Sequence, residues 1–213
     1  MNIEKLLDDS LIKEREERKS RVRSGKMNPS SFGQCFRRQY YNRSNTPESN
    51  PIPIETLRVF KAGSLFHDLI QNLLPPHQKE VEITTDEIHG FADIVTDDMV
   101  IDIKSQNQFA FKAMAKPGYK IEEEKVDYIL QLMTYVFLLG KKIGKLVFIN
   151  KDNLEIRKFE FHIDDWINKV NEEGVINSKY WLQKTLPPPE PRLYKGKECS
   201  YCSWENTCKG KAF

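Results

Sequence analysis

The sequence contains no hydrophobic run long enough to cross a membrane and no large excess of charge of either sign. A bilayer-spanning helix needs about 20 consecutive apolar residues, and no stretch approaches that length. The charged segment IEKLLDDSLIKEREER does not resemble a secretory signal peptide. With 33 basic and 31 acidic residues the net charge is +2, so nucleic-acid binding would depend on local patches. We therefore expect a cytoplasmic protein.

Cysteine is also scarce, and its distribution is uneven. Cys199, Cys202 and Cys208 lie together in ECSYCSWENTCKG, whereas Cys35 stands alone in FGQCFRRQYY. Disulfides are uncommon in the reducing cytoplasm, so they are the weaker explanation. Four thiolates can hold either a tetrahedral zinc ion or an iron–sulfur cluster. Composition and spacing alone leave open why three thiols lie near one end of the chain and the fourth near the other.

The pattern of apolar residues and turn signals predicts an α/β fold with a mixed sheet. The length fits one large domain, alone or with a small appendage. Helices are expected at 3–23, after an N-cap at Ser30 or Ser31, and at 55–74, 121–139 and 164–182. Strands are expected at 79–84, 89–96, 99–104, 145–150 and 154–161.

The stretch HGFADIVTDDMVIDIKSQ carries the strongest chemical signal. If Asp97 and Asp98 form the tip of a hairpin, Asp93 lies across from Asp102, and Lys104 shares their face. The opposite face is expected to be apolar and to hold Ala92, Ile94, Ile101 and Ile103. Two facing carboxylates repel unless something compensates, and a magnesium or manganese ion does so well. The alternative is a solvent-facing strand whose carboxylates pair loosely with lysines.

Two helices add polar residues to this picture. His67 lies one turn after Gly63 in GSLFHDLIQNLL, and a lone histidine on such a helix is usually a packed residue. Gln131 and Tyr135 share one face of the apolar helix DYILQLMTYVFLLG. A glutamine in a buried helix needs a hydrogen-bonding partner, which an active site or a structural contact with Tyr135 could supply.

Taken in order, His67, Asp93, the DIK triplet of Asp102 to Lys104 and the QLMTY segment resemble the PD-(D/E)XK nuclease superfamily in its RecB-like branch. Ala92 stands where the motif's name has proline, and the second acid is aspartate. The cysteine spacing is similar to that of the iron–sulfur nucleases of the CRISPR-associated Cas-four family and of AddB-type helicase–nucleases. In these proteins one N-terminal and three C-terminal thiolates hold a cluster, usually four-iron, across a restriction-endonuclease-like core.

The resemblance implies three regions and metal-dependent phosphodiester hydrolysis. Residues 1–50 would be an N-terminal helical region, 51–185 the nuclease core and 186–213 the iron–sulfur segment. It further implies that Cys35, Cys199, Cys202 and Cys208 bind a 4Fe-4S cluster, with a zinc site as the rival.

Within the implied core, Asp93 and Asp102 would hold Mg²⁺ or Mn²⁺, helped by His67 and the carbonyl of Ile103. Lys104 would orient water or neutralise charge, and Gln131 would position Lys104 or the phosphate. Glu80 or Glu82 is expected as a further metal ligand.

The resemblance also implies contacts with DNA, single-stranded DNA above all. Arg37, Arg38, Tyr40 and Tyr41 suit phosphate contact and base stacking, Tyr135 is a further stacking candidate, and Lys112, Lys116 and Lys120 would line the entrance to the site. The segment GKKIGK does not fit the GxxxxGK[ST] pattern, so a helicase or CRISPR adaptation proteins would be separate partners. CRISPR adaptation, repair and phage replication stay open as settings. The alternative functions are a catalytically silent nucleic-acid-binding module with the same metal site and a zinc-stabilised adaptor.

Overall fold

The structure, a computed structural model, describes residues 1–20, 24–75 and 78–210. The helices in these ranges are α1 (Ile3–Ser20), α2 (Phe36–Arg43), α3 (Ile54–Gln71), α4 (Gln108–Ala113), α5 (Ile121–Glu124), α6 (Val126–Leu138), α7 (Ile163–Leu182) and α8 (Glu205–Gly210). The strands are β1 (Lys79–Thr84), β2 (His89–Val95), β3 (Met99–Gln106), β4 (Ile143–Asn150) and β5 (Ile156–His162). No helix in the described part of the chain is both long and apolar enough to span a bilayer.

The five strands form one sheet in the order β1-β2-β3-β4-β5. Strands β3 and β4 are parallel, and every other neighbouring pair is antiparallel. A parallel pair needs a crossover connection, and the segment that contains α4, α5 and α6 provides it. The predicted α/β class with a mixed central sheet is confirmed.

Helices pack on both faces of this sheet. The larger apolar cluster joins one face to α6 and α7, and α6 contributes Ile129, Leu132, Met133 and Val136, all fully buried. The smaller cluster joins Ile94, Ile103 and Ile149 to Phe66 and Ile70 of α3 on the other face. The nearly all-apolar sequence of α6 follows from this position, because sheet and helix surround it. The polar residues of α6 consequently lie beside the central strands.

Several predicted boundaries are wrong for local reasons. The helix predicted at 121–139 is two helices, because Lys125 adopts φ −137° between them. Neither Ser30 nor Ser31 caps α2. Instead, Asn28 caps a short 3-10 turn at Pro29–Ser31, and α2 begins only at Phe36, with Cys35 at its N-cap position.

The remaining differences are smaller. Helix α3 ends at Gln71, and β5 begins at Ile156 because Leu154 has φ 63° in the preceding turn. Helix α4 was not predicted. It is only six residues long, and the Asn107 side chain caps it by accepting from the Ala110 N–H. Residues 21–23 of the predicted first helix lie outside the described residues.

The C-terminal segment packs against the chain that follows α2. Trp204 Nε1 donates to the Thr46 carbonyl at 2.8 Å, and the Ser203 carbonyl accepts from the N–H groups of Ser49 and Asn50 at 2.9 Å each. These contacts bring the C-terminal segment against residues 46–50, near the N-terminal region that the resemblance implies it joins. The domain boundaries at 50 and 185 stay a prediction.

Candidate active site and cysteine pocket

The β2–β3 hairpin has the predicted register at its turn. Ile94 pairs with Ile101, and Val95 pairs with Val100. Beyond these pairs the ladder changes, because Asp93 Oδ2 accepts the Ile103 N–H at 2.7 Å. The Asp93 carboxylate therefore satisfies a β3 backbone donor near Asp102.

The prediction of one clean apolar face needs a correction at Ala92. Ile94, Ile101 and Ile103 pack together on the α3 side of the sheet, but Ala92 packs in the larger cluster on the α6 side. Ala92 and Ile94 should share a face in a regular strand. The alternation breaks at Asp93, where the side chain bonds the backbone of β3.

Lys104 is held between β3 and α6. Its Nζ lies 2.8 Å from Asp102 Oδ2 and donates to Asp102 Oδ1 at 3.1 Å and to Gln131 Oε1 at 3.2 Å. The same ammonium lies 4.9 Å from the centre of the Tyr128 ring. Burial alone would lower the pKa of Lys104, but the carboxylates of Asp102 and Asp93 outweigh it and raise that pKa. Lys104 is therefore a fixed positive charge.

Tyr128 did not emerge from the sequence as a site residue. It lies one turn before Gln131 on the same face of α6, so helical spacing was the signal that could have found it. Burial raises the pKa of Tyr128 to about 12, which keeps its hydroxyl protonated beside Lys104. The ring covers the lysine while its hydroxyl remains a donor.

Asp93 is the carboxyl group whose charge is most disfavoured in this site. Burial, and then the nearby charge of Asp102, raise its pKa to about 7. His67 Nδ1 lies 3.5 Å from Asp93 Oδ2. Burial, and then the positive charge of Lys104, lower the His67 pKa. His67 therefore faces Asp93 as a neutral imidazole near pH 7, and the contact is no charged ion pair.

The structure separates the two additional acids. Glu80 stands between the Lys79–Ile94 and Val81–Ala92 pairs of the β1–β2 ladder, which places it near Asp93. Gln71 Nε2 donates to Glu80 Oε1 at 2.7 Å. Glu80 has φ 49°, an unusual backbone conformation for a strand residue. Glu82 instead lies 3.1 Å from His89 Nε2. Only Glu80 is therefore placed beside the predicted metal ligands.

Tyr135 lies inside the protein, which corrects its predicted stacking on nucleic acid. The residue is 2 % exposed, and its hydroxyl bonds the backbone N–H of Phe91 on β2. Gly90 permits this approach, because a Cβ there would lie 2.5 Å from the Tyr135 hydroxyl oxygen. Tyr135 thus holds α6 against β2 and offers no free ring face.

The predicted DNA-contacting residues of α2 also need correction. Arg37 and Tyr41 are buried, so they cannot contact a strand in this conformation. Arg38 is half-buried and lies 3.5 Å from the buried Glu198, and the Tyr40 ring packs 5.6 Å from that of Trp181. Polarity in the sequence suggested a binding surface, but these side chains join α2 to neighbouring segments. The exposed Lys112, Lys116 and Lys120 keep their predicted role as an expectation.

All four cysteines line one small pocket between α2 and the C-terminal segment, and all four thiols are free. Burial raises the pKa of Cys35, Cys199 and Cys202, which favours neutral thiols in a metal-free protein. The backbone amides of Arg37 and Arg38 hydrogen-bond the Cys35 sulfur. The predicted juxtaposition of the four cysteines is therefore present, although their binding of a metal stays a prediction.

Two buried glutamates fasten the same region. Glu198 accepts the Cys35 N–H at 2.9 Å and the Arg192 N–H at 2.9 Å. Glu173 of α7 accepts from both terminal nitrogens of Arg192, at 2.9 and 2.8 Å, and from the Gly33 N–H at 2.9 Å. Sequence reasoning missed both, because glutamates in polar segments are normally exposed. They link the two chain ends through hydrogen bonds that do not involve the thiol groups.

Among residues 1–20, 24–75 and 78–210, no three His, Cys, Asp or Glu side chains converge so that they could hold one metal ion. The four cysteines nevertheless line one common pocket.

We predict that Asp93→Asn stabilises the metal-free protein at pH 8. The folded-state pKa of about 7 lies above the ordinary value near 4, so the stability provided by the protonated carboxyl is lost as the pH rises through 7. Removing the charge should raise the free energy of unfolding at pH 8 by on the order of 2–4 kcal/mol, or Tm by about 4–10 °C. Asparagine can still accept the Ile103 N–H.

Thermal unfolding in EDTA at pH 8 and pH 5 measures this effect, which should be much smaller at pH 5. Asp98→Asn, in the exposed hairpin turn, is the matched control and should change Tm little at either pH. An equal shift at both pH values would show that Asp93 carries no unfavourable charge in the fold.

Structural comparison relates this fold to solved proteins. The crystal structure of SSO0001 matches with a TM-score of 0.59 at 23% identity, over 100% of this chain and 98% of that one. An alkaline exonuclease, LHK-Exo from Laribacter hongkongensis, matches with a TM-score of 0.52 at 17% identity, over 76% of this chain and 90% of that one. LHK-Exo in complex with dAMP matches with a TM-score of 0.50 at 16% identity, over 75% of this chain and 89% of that one.

No protein-family model and no curated protein matches the sequence. At these identities the structural matches show a shared fold. An α/β fold with a mixed sheet, shared with an alkaline exonuclease, agrees with the predicted restriction-endonuclease-like core. The iron–sulfur segment stays a prediction.

Proposed function

We propose that this chain is a metal-dependent deoxyribonuclease that hydrolyses phosphodiester bonds at DNA ends, with single-stranded DNA as its preferred substrate. The observation that carries the proposal is the convergence of Asp93, Asp102, Lys104 and Gln131 where β2, β3 and α6 meet. The likeness of the fold to an alkaline exonuclease supports it. LHK-Exo in complex with dAMP, a mononucleotide, is a further match of that fold.

The carboxylate site fits a divalent cation on its own chemistry. Asp102 Oδ2 is buried and accepts no hydrogen bond of good geometry, although Lys104 Nζ lies 2.8 Å away. Burial and mutual repulsion disfavour the charge on Asp93, a condition that a bound cation relieves. Magnesium commonly binds through one or two carboxylates and keeps water and phosphate oxygens as its other ligands. Asp93 and Asp102, with the Ile103 carbonyl, would therefore hold Mg²⁺ or Mn²⁺. His67 would have to move toward the cation to become a further ligand, because it does not converge with both carboxylates in the structure.

The bound cation would activate water and neutralise charge on the phosphate. The carboxylates of Asp102 and Asp93 raise the pKa of Lys104 and keep it protonated in the metal-free site. It supplies a fixed positive charge to the phosphate as negative charge develops. Gln131 and Tyr128 orient its ammonium, and Tyr135 keeps α6 in register with β2.

We propose that Cys35, Cys199, Cys202 and Cys208 hold an iron–sulfur cluster of the 4Fe-4S type. All four line one pocket between α2 and the C-terminal segment, and four thiolates are the usual ligands of such a cluster. A tetrahedral zinc ion with the same four ligands is the alternative. Metal analysis and the absorption spectrum of protein purified without oxygen distinguish the two.

Degradation of end-labelled single- and double-stranded DNA tests the proposed activity. Protein purified without oxygen should cleave with Mg²⁺ or Mn²⁺ and lose cleavage in EDTA. Lys104→Ala should reduce the rate at least about a hundredfold, because a positive charge beside the phosphate is removed. Lys158→Ala, at an exposed position on β5, is the matched control. A folded wild type that binds DNA but cleaves neither substrate would contradict the proposed nuclease activity. It would favour the alternative, a catalytically silent nucleic-acid-binding module.

A further inference from the structure

A second polar pocket lies apart from the proposed active site, between α2, α7 and the start of β2. It has a volume of ≈ 440 Å³, within the range of roughly 300–1,000 Å³ that is typical of small-molecule sites. Its charged or titratable lining residues are basic, namely Arg18, Lys26, Arg43 and His89. The other polar groups of this basic pocket come from Asn, Gln and Ser, and no Asp or Glu lines it.

Arg43 is the central feature of the basic pocket. Its guanidinium carbon lies over the Trp181 ring, 4.2 Å from the ring centre, and its Nε donates to the Gly25 carbonyl. Among the described residues its Nη1 is buried and has no hydrogen-bond partner. Burying a charged donor without an acceptor is costly, so the guanidinium would gain from an anion that reaches it through the pocket. Burial also lowers the Arg43 pKa, while Glu87 raises it through space.

Two of the four basic lining residues have carboxylate partners: Arg18 pairs with Glu14 at 2.6 Å, and His89 lies 3.1 Å from Glu82. Glu87 makes no ion pair with Arg43 within the described residues, and its Oε2 accepts from a serine hydroxyl on α7.

Lys26, like Arg43, donates to a backbone carbonyl, that of Thr85, at 2.6 Å. Within the described residues, neither cation has a carboxylate at ion-pair distance. Two positive charges with only neutral acceptors therefore face one cavity.

We propose that the basic pocket binds a phosphate group. A guanidinium held over a ring and bonded through its Nε presents its remaining N–H groups in a fork, which matches the oxygens of a phosphate. Lys26 adds a point charge, and Asn42 in the same lining offers an amide donor. The phosphate belongs either to the backbone of a nucleic-acid strand or to a free ion or mononucleotide. The inference does not depend on hydrolysis at Asp93 and Asp102.

Equilibrium binding in EDTA, where no turnover occurs, tests the proposal. The probes are inorganic phosphate, dAMP and a single-stranded oligonucleotide without terminal phosphates, each titrated into the wild type and Arg43→Gln. We expect at least one probe to lose affinity about tenfold or more in Arg43→Gln, since charge-assisted hydrogen bonds are removed. Arg157→Gln is the matched control, because Arg157 also stacks on a ring, that of Phe111, at 4.9 Å. It removes the same charge outside the pocket.

The three probes distinguish the source of the phosphate. If Arg43→Gln loses affinity for inorganic phosphate and dAMP, the pocket is a site for a free ion or mononucleotide. If only the affinity for the oligonucleotide falls, the pocket binds the backbone of a strand. Asn42→Asp is a second variant for the case that Arg43→Gln does not fold. It should abolish the same binding, because it places a carboxylate beside Arg43. The proposal is overturned if no probe loses affinity in the folded variants, or if Arg157→Gln loses as much.

Discussion

Asp102→Asn should reduce cleavage of end-labelled single-stranded DNA by about 10³-fold or more in the presence of Mg²⁺ or Mn²⁺. Asp102 is buried, and its Oδ2 lies in an ion pair with Lys104 without accepting a well-formed hydrogen bond. The substitution removes one of the two carboxylates that would hold the cation, and it unpairs Lys104. Both changes weaken the stabilisation of negative charge on the phosphate. Initial rates at saturating metal measure the effect.

The variant must be shown to fold and to bind DNA before the rate is interpreted. Asp98→Asn, in the exposed turn of the same hairpin, keeps the net charge matched and should cleave at the wild-type rate. Manganese titration adds a second readout, since Asp102→Asn should need more metal for half-maximal stabilisation against heat. Retained cleavage in a folded Asp102→Asn protein would place the chemistry elsewhere in the molecule.

The sequence was informative wherever a short-range period decides the structure. The position of the turn at Asp97 and Asp98 predicted the hairpin register, which the pairing of Ile94 with Ile101 confirms next to the turn. Helical spacing placed Gln131 on one face of α6, where its side chain meets Lys104. The five strands and the order of the main elements depend on the same local signals. These parts of the fold and site follow from patterns within about ten residues.

What the sequence did not predict depends on contacts between distant segments. The break in alternation at Asp93 arises from its bond to the Ile103 N–H. The inward position of Tyr135 depends on the missing side chain at Gly90. Arg37 is polar by type, yet it is buried and donates to the Pro187 carbonyl at 2.6 Å. Long-range partners of this kind decide whether a polar residue is a surface contact or part of the interior.

Glu198→Ala should lower the free energy of unfolding by about 3–5 kcal/mol, or Tm by roughly 6–15 °C. Glu198 is 1 % exposed and accepts backbone N–H groups from both chain ends, at Cys35 and Arg192. Alanine would leave these buried donors without acceptors and Arg38 without its carboxylate. Thermal and denaturant unfolding of the metal-free protein measure the loss.

Glu205→Ala is the matched control, because Glu205 pairs with Lys209 at the surface of α8, where ion pairs contribute little. It should change the free energy of unfolding by less than about 1 kcal/mol. A loss for Glu198→Ala as small as that of the control would show that the buried carboxylate does not fasten the chain ends.

Two interactions could hold the chain ends together: the hydrogen bonds of Glu198 and the predicted metal–thiolate bonds. Comparing Glu198→Ala and Cys35→Ser in metal-loaded and metal-free protein separates their contributions to stability. A cluster that binds only the folded state adds its binding free energy to stability, and Cys35→Ser should remove that contribution. In metal-free protein Cys35→Ser should lower the free energy of unfolding much less than Glu198→Ala does, because the backbone N–H of residue 35 keeps its hydrogen bond to Glu198. In metal-loaded protein the loss of unfolding free energy in the double variant should differ from the sum of the two single losses. The reason is that Glu198 binds the backbone of one predicted ligand, Cys35, and directly precedes another, Cys199. Strict additivity in both states would mean that the carboxylate and the thiols act independently.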